Sequence, residues 1–231
     1  GYVQVNFSNS EFSSFTSDMS HTGFNGFDYV QPVPVYRGRL VFSVGGHKQI
    51  DYMSASQNSS YNFSEKGKLS SYHIAGALEF SKNLYLGADL KFLRGNDEMV
   101  MQGNDETYYF KPEYSGGSLT VGLLHVLSRN FQYGISIDMP TSLDVDELYT
   151  ESNHIDGDLS FSETYNYNVK KPLTFHAGAG VLLKFINLFY ELEFTDWQSL
   201  EFSSNEIYES DLELPASVVI NNQIRDNFSS T

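Results

Sequence analysis

The sequence predicts an all-β fold, an antiparallel transmembrane β-barrel of which about nine strands are present. Three observations lead there. Apolar and polar residues alternate at period two through much of the chain. The links between these segments alternate short and long. No apolar run approaches the roughly 18 residues that a membrane-spanning helix requires. The greasiest stretch, VLLKFINLFYELEF, is interrupted by Lys184, Asn187, Glu191 and Glu193.

The predicted strands are, in order, Tyr2–Ser8, Gly23–Val33, Arg39–Met53, Leu69–Phe80, Leu84–Leu93, Thr107–Leu127, Phe131–Pro140, a long segment ending at Lys184, and Leu188–Leu200. The fifth shows the pattern clearly. Leu84, Leu86, Ala88, Leu90 and Phe92 share one phase, and Tyr85, Gly87, Asp89, Lys91 and Leu93 the other. Phe131, Tyr133, Ile135, Ile137 and Met139 alternate in the same way with Gln132, Gly134, Ser136 and Asp138. So do Leu173, Phe175, Ala177, Ala179 and Val181 with Thr174, His176, Gly178, Gly180 and Leu182, and Leu188, Tyr190, Leu192 and Phe194 with Phe189, Glu191, Glu193 and Thr195. Such segments make a sheet with two unlike faces. No segment has the 3.6-residue period of an amphipathic helix.

Val35–Arg37, Ser81–Asn83, Ser128–Asn130 and Phe185–Asn187 are the short links. Asn9–Thr22, Ser54–Lys68, Arg94–Glu106, Thr141–Ser162 and everything after Glu201 are the long ones, rich in Ser, Asn, Asp, Glu and Gly. Short turns at one end and long solvated loops at the other are the pattern of outer-membrane barrels. The greasy face then meets lipid, and the polar face lines a lumen, with every backbone group paired inside the sheet. Tyr36, Phe80, Tyr85, Phe131 and Tyr133 are expected in the interfacial aromatic girdle. The competing fold is a soluble, secreted β-sandwich.

Composition narrows the function. The chain has 231 residues, no cysteine, 16 Tyr, 18 Phe and a net charge of −15. Disulfides and thiolate chemistry are excluded. The acidic balance argues against a nucleic-acid partner, which would require a basic stripe. Nucleophile-elbow, paired-histidine and phosphate-loop motifs are absent, so no enzyme, metal or cofactor is expected. The acidic stretch holding Asp144, Asp146, Glu147, Glu151, Asp156 and Asp158 offers hard oxygen ligands suited to calcium. Its spacing does not match an EF-hand loop, and it is expected to be a solvated loop.

Four stretches, PVPVYRGRLVFSVGGHKQIDY, GALEFSKNLYLGADLKFLRGND, FQYGISIDMPTSLDVDE and above all KKPLTFHAGAGVLLKFINLFYELEFTDWQSL, resemble the FadL family of outer-membrane transporters for long-chain fatty acids and other hydrophobic compounds. The last combines a Pro-led strand of small residues, a tight turn, and an acidic strand ending in Thr195-Asp196-Trp197. The resemblance implies a barrel of about fourteen strands with an N-terminal hatch. The hatch, with its Asn-Pro-Ala element, has no counterpart here, nor does a final strand with a terminal aromatic. Residues 1–231 are therefore expected to be one transmembrane domain, the central part of a longer barrel truncated at both ends.

The polar phase supplies the candidate site residues: His73, Glu79, Asp89, Lys91, His176, Lys184, Glu191 and Glu193. A basic member such as Lys91 or His176 is suited to a fatty-acid carboxylate, since a desolvated carboxylate requires charge-assisted donors. The bland alternative is that these groups pair with one another and with water. Gly45 and Gly46 interrupt the third strand, where the resemblance implies a kink that opens the wall sideways; close packing is the alternative. The expected function is passive transport of hydrophobic molecules, fatty acids foremost, across the bacterial outer membrane. The expected surroundings are membrane lipid and lipopolysaccharide. A structural or surface-interaction barrel that uses its acidic loops is the second expectation.

Overall fold

A computed structural model describes residues 1–13, 18–57, 61–153, 159–204 and 216–229. They form one antiparallel sheet of twelve strands. β1 (Tyr2–Ser13), β2 (Asp18–Val33), β3 (Leu40–Gln57), β4 (Tyr61–Ser81), β5 (Leu84–Gly103) and β6 (Glu106–Val126) follow one another as neighbours. β6 is then shared: its residues from Thr120 pair with β7 (Phe131–Asp138), and those up to Gly117 pair with β8 (Thr141–Asn153). β9 (Leu159–Lys171) pairs with β8, while its continuation β10 (Thr174–Leu182) pairs with β7. β11 (Asn187–Thr195) pairs with β10, and β12 (Glu201–Ser204) with β9. Among the described residues β1 pairs only with β2, and β11 only with β10.

Twelve strands replace the nine expected because three passes of the chain are each broken once. Pro140 separates β7 from β8 and Pro172 separates β9 from β10. Proline has no N–H to give the ladder. A 3-10 turn, Trp197–Ser199, separates β11 from β12. The breaks fall side by side, for Thr174 pairs with both Asp138 and Thr195. Thr174 is fully buried there, and its hydroxyl is 2.9 Å from that of Thr195.

The short links do lie together at one end of the sheet. Lys82 and Asn83 close the β4–β5 hairpin, with Asn83 at φ 63°, a left-handed conformation that asparagine tolerates. The expected long loops are corrected: most of Ser54–Lys68, Arg94–Glu106 and Thr141–Ser162 is strand. β5 and β6 are joined across only Asn104 and Asp105. Each pass thus has a proximal half near the short turns and a distal half beyond it.

The halves differ. On the proximal half the apolar phase stays uncovered: Leu78, Leu86, Leu90, Ile135, Leu192 and Phe194 are exposed. This band ends abruptly on that face. Phe92 gives way to Arg94 along β5, Tyr72 to Ser70 and Lys68 along β4, and Leu119 to Ser115 and Glu113 along β6. From Leu84 to Phe92 the band runs about 27 Å along the strand, close to the length of the roughly 9–11 residues with which a tilted strand crosses a bilayer. On the distal half it is the opposite face that is buried, with Val145 2% and Leu69 8% exposed, beside Tyr114, Tyr167 and Tyr52. Tyr167 donates a 2.9 Å hydrogen bond to Glu147 Oε2, and burial pushes the phenols of Tyr114 and Tyr167 above the ordinary tyrosine range. Asp97 lies in this layer at 3% exposure. Burial first, then the neighbouring Glu65 charge, raises its carboxyl to about 6.

The absence of a helix is also corrected. α1 spans Ala216–Ser229 and is tied to β12 by Asn221, whose side chain accepts from Phe202 N at 2.7 Å and donates to Phe202 O at 2.8 Å. Its Val218-Val219-Ile220 run hides the helix from a propensity reading, because β-branched residues favour strands. No helix among the described residues is long and apolar enough to cross a membrane, which says nothing of strands.

Candidate functional site on the polar face

Paired residues on antiparallel strands share a face. The register therefore lays out the proximal polar face row by row. One row runs Ala77, Gly87, Gly122, Ser136, His176, Glu193 across β4, β5, β6, β7, β10 and β11. The row nearer the turns runs Glu79, Tyr85, Leu124, Gly134, Gly178, Glu191. So small residues from neighbouring strands coincide. They leave a groove of about 610 Å³, floored by Ala77, Gly87, Gly122, Gly134, Gly178 and Gly180, with Tyr85, Leu124 and Phe189 on its sides. A second hollow of about 300 Å³ shares Ala77, Gly87 and Gly122 and continues past Ala75 to Ser43 and Val41. Together they have the size and the mostly apolar lining of small-molecule sites.

Above this floor a polar network crosses five strands. Lys91 Nζ stands 3.7 Å from Asp89 Oδ2 and donates to Thr120 Oγ1 at 3.4 Å. Thr120 donates to Asp138 Oδ1 at 2.6 Å, and His176 Nε2 is 3.2 Å from Asp138 Oδ2. His176 Nδ1 faces Glu191 Oε1 at 3.3 Å and Glu193 Oε2 at 4.0 Å, without hydrogen-bond geometry to either. Asp89 Oδ1 is likewise buried and without a hydrogen-bond partner. Lys91 and His176 already face carboxylates, and an acceptor oxygen is left over.

Of the sequence candidates, Asp89, Lys91, His176, Glu191 and Glu193 come together here. Glu79 lies at the turn end of the groove, 3.7 Å from Arg39. His73 pairs with Lys91 but turns to a different cluster, with Nε2 3.2 Å from Asp28 Oδ1. Lys184 is corrected: β10 ends at Leu182, so it sits in the turn with its ammonium over the Phe185 ring at 5.4 Å. Tyr85, expected in the aromatic girdle, faces the groove instead. Tyr36 and Phe80 are exposed at the turn end. The acidic stretch of β8 is no cluster. Asp144 and Asp146 project to one face, and Glu147 and Glu151 to the other, where Tyr167 and Tyr149 donate to them. Asp156 and Asp158 lie outside the described residues.

Gly45 and Gly46 are both buried and regularly paired on both sides, to Asp28 and Phe27 of β2 and to His73 and Tyr72 of β4. The irregularities come just beyond. Pairing with β2 stops at Gly26–His47, and the register against β4 shifts between Lys48 and Ile50. A Cβ on Gly45 would stand 2.2 Å from Asp28 Oδ1, and one on Gly46 3.0 Å from Tyr72 Cδ1. These glycines serve close packing, and the seam between β2 and β3 opens after them.

The glycine floor was missed by sequence reasoning, although its signal was present. Gly87, Gly134, Gly178 and Gly180 all occupy the polar phase of their strands. Only the register shows that they adjoin. No known family model matches this chain, and no curated protein matches it.

Proposed function

We propose that this chain forms part of the wall of a bacterial outer-membrane β-barrel that lets hydrophobic small molecules pass inward without energy coupling. The observation that carries this reading is the uncovered apolar band of the proximal half. It is about as long as a tilted membrane-crossing strand and ends in charge on one face only. A soluble sandwich would cover that face with a second sheet. Among the described residues nothing packs over it. The groove on the opposite face supplies a place for an apolar ligand.

The likeness to the FadL family suggests long-chain fatty acids, with a sideways exit near Gly45 and Gly46. The seam beyond His47 supports the location of such an exit. The groove refines the ligand. Lys91 and His176 are matched by Asp89, Asp138 and Glu191, so an ionised carboxylate would meet uncompensated negative charge. A neutral hydrophobic molecule with a hydroxyl or N–H to give Asp89 Oδ1 fits better. Vesicle flotation and uptake test this. The chain should float with vesicles after refolding, and cells expressing the intact protein should take up a neutral long-chain alcohol at least as fast as the ionised acid. A chain that stays soluble and monodisperse without detergent would overturn the membrane reading. Preference for the ionised acid would overturn only the ligand class.

A further inference from the structure

We propose that Asp28, His47 and His73 form a binding site for zinc or another late first-row divalent ion. The proposal stands on these side chains and does not depend on the transport reading. Three adjacent strands, β2, β3 and β4, each supply one ligand group. His47 Nε2 lies 3.0 Å from Asp28 Oδ1 and 2.9 Å from Oδ2, and His73 Nε2 lies 3.2 Å from Oδ1. All the donor atoms fall within 4.8 Å of one another. Ligands about 2.0–2.1 Å from a tetrahedral zinc stand roughly 3.3 Å apart, and each imidazole nitrogen already stands at about that distance from the Asp28 carboxylate. The two imidazoles are parallel, 1° between planes and 5.6 Å between centroids, and both direct Nε2 at the same carboxylate.

The surroundings favour convergence. A Cβ at Gly45 would stand 2.2 Å from Asp28 Oδ1 and 2.8 Å from His73 Cε1. A Cβ at Gly26 would stand 2.5 Å from His47 Nδ1. Glycine at both positions makes the room in which the three groups meet. Lys91, opposite His73 in the register, has its charge countered by Asp89 at 3.7 Å. Two imidazoles and one carboxylate suit zinc and its neighbours, whereas magnesium and calcium prefer all-oxygen sets. Three protein ligands leave a fourth position for water. The ion would tie β2 to β3 and β4 at the pairing where the β2–β3 ladder ends.

The test uses the untagged, refolded chain in detergent with zinc, cobalt(II), magnesium and calcium as the probes. One zinc should bind per chain and raise the thermal midpoint, cobalt should give the visible absorption of a tetrahedral site, and magnesium and calcium should do neither. Asp28→Asn, His47→Gln and His73→Gln should each weaken zinc binding at least about tenfold, and His125→Gln should not. X-ray absorption of the zinc-loaded wild-type chain should show two imidazole nitrogens and oxygen ligands, a result that requires no variant to fold. Fewer than two imidazoles, no zinc binding, or equal loss in His125→Gln would overturn the site.

Discussion

Leu90 and Asn96 lie on one face of a single strand, six residues apart, and face different surroundings. Around Leu90 that face carries Ile74, Leu119 and Val121, all exposed. Around Asn96 it carries Lys68 and Glu113. On the opposite face the contrast reverses, from a glycine-floored groove in the proximal half to a buried layer of Leu69, Val145, Tyr114 and Tyr167 in the distal half. The same backbone ladder runs through both, so regular pairing alone does not decide what a face meets. The proximal half leaves its apolar face uncovered. The distal half carries its own core and keeps a polar exterior.

The largest effect expected is from charge on the apolar band. Leu90→Lys or Ile135→Lys should cost about 2–4 kcal/mol in urea unfolding from lipid vesicles, while Lys68→Gln or Glu113→Gln on the same face should change stability by less than about 0.5 kcal/mol. Equal costs would erase the distinction between the halves.

Truncating the distal core comes next. Leu69→Ala should cost about 2–3 kcal/mol, from lost burial and an unfilled space, and by the same amount in detergent and in lipid. A cost that depends on lipid would place the distal half in the membrane.

Asp97→Asn should stabilise the distal half by about 1–2 kcal/mol near pH 8. The sign follows from the raised carboxyl. A group with a folded value of about 6 against 3.8 unfolded favours folding below its unfolded value, and that advantage is lost as pH rises through the folded value. Below about pH 4 the variant's gain should therefore vanish. Unfolding at the two pH values checks it.

The smallest effect on stability and the sharpest on function belong to the groove. A Cβ on Gly87 meets nothing nearer than Gly76 O at 3.5 Å, so Gly87→Ala should fold normally, with stability changed by less than about 1 kcal/mol. Gly87→Leu should fill the groove and reduce uptake of a neutral hydrophobic probe severalfold while the protein still folds. Unchanged uptake in a folded Gly87→Leu would remove the groove from the path.

The sequence by itself determined the strand-rich fold, the course of the nine passes and the two-faced proximal half. A period-two pattern is a direct imprint of a pleated strand between unlike surroundings, so Leu84 to Phe92 or Phe131 to Asp138 declares both its conformation and its phase. The distal extensions were not legible in this way. Ser, Asn, Asp and Glu fill their outward positions, and such residues are equally at home in loops; neighbouring strands, through backbone hydrogen bonds, hold them in the sheet. Tertiary structure alone decided which polar residues meet. Gly87 with Gly122 and Gly134, and Asp28 with His47 and His73, are brought together by register, and register is a relation between strands that no single strand encodes.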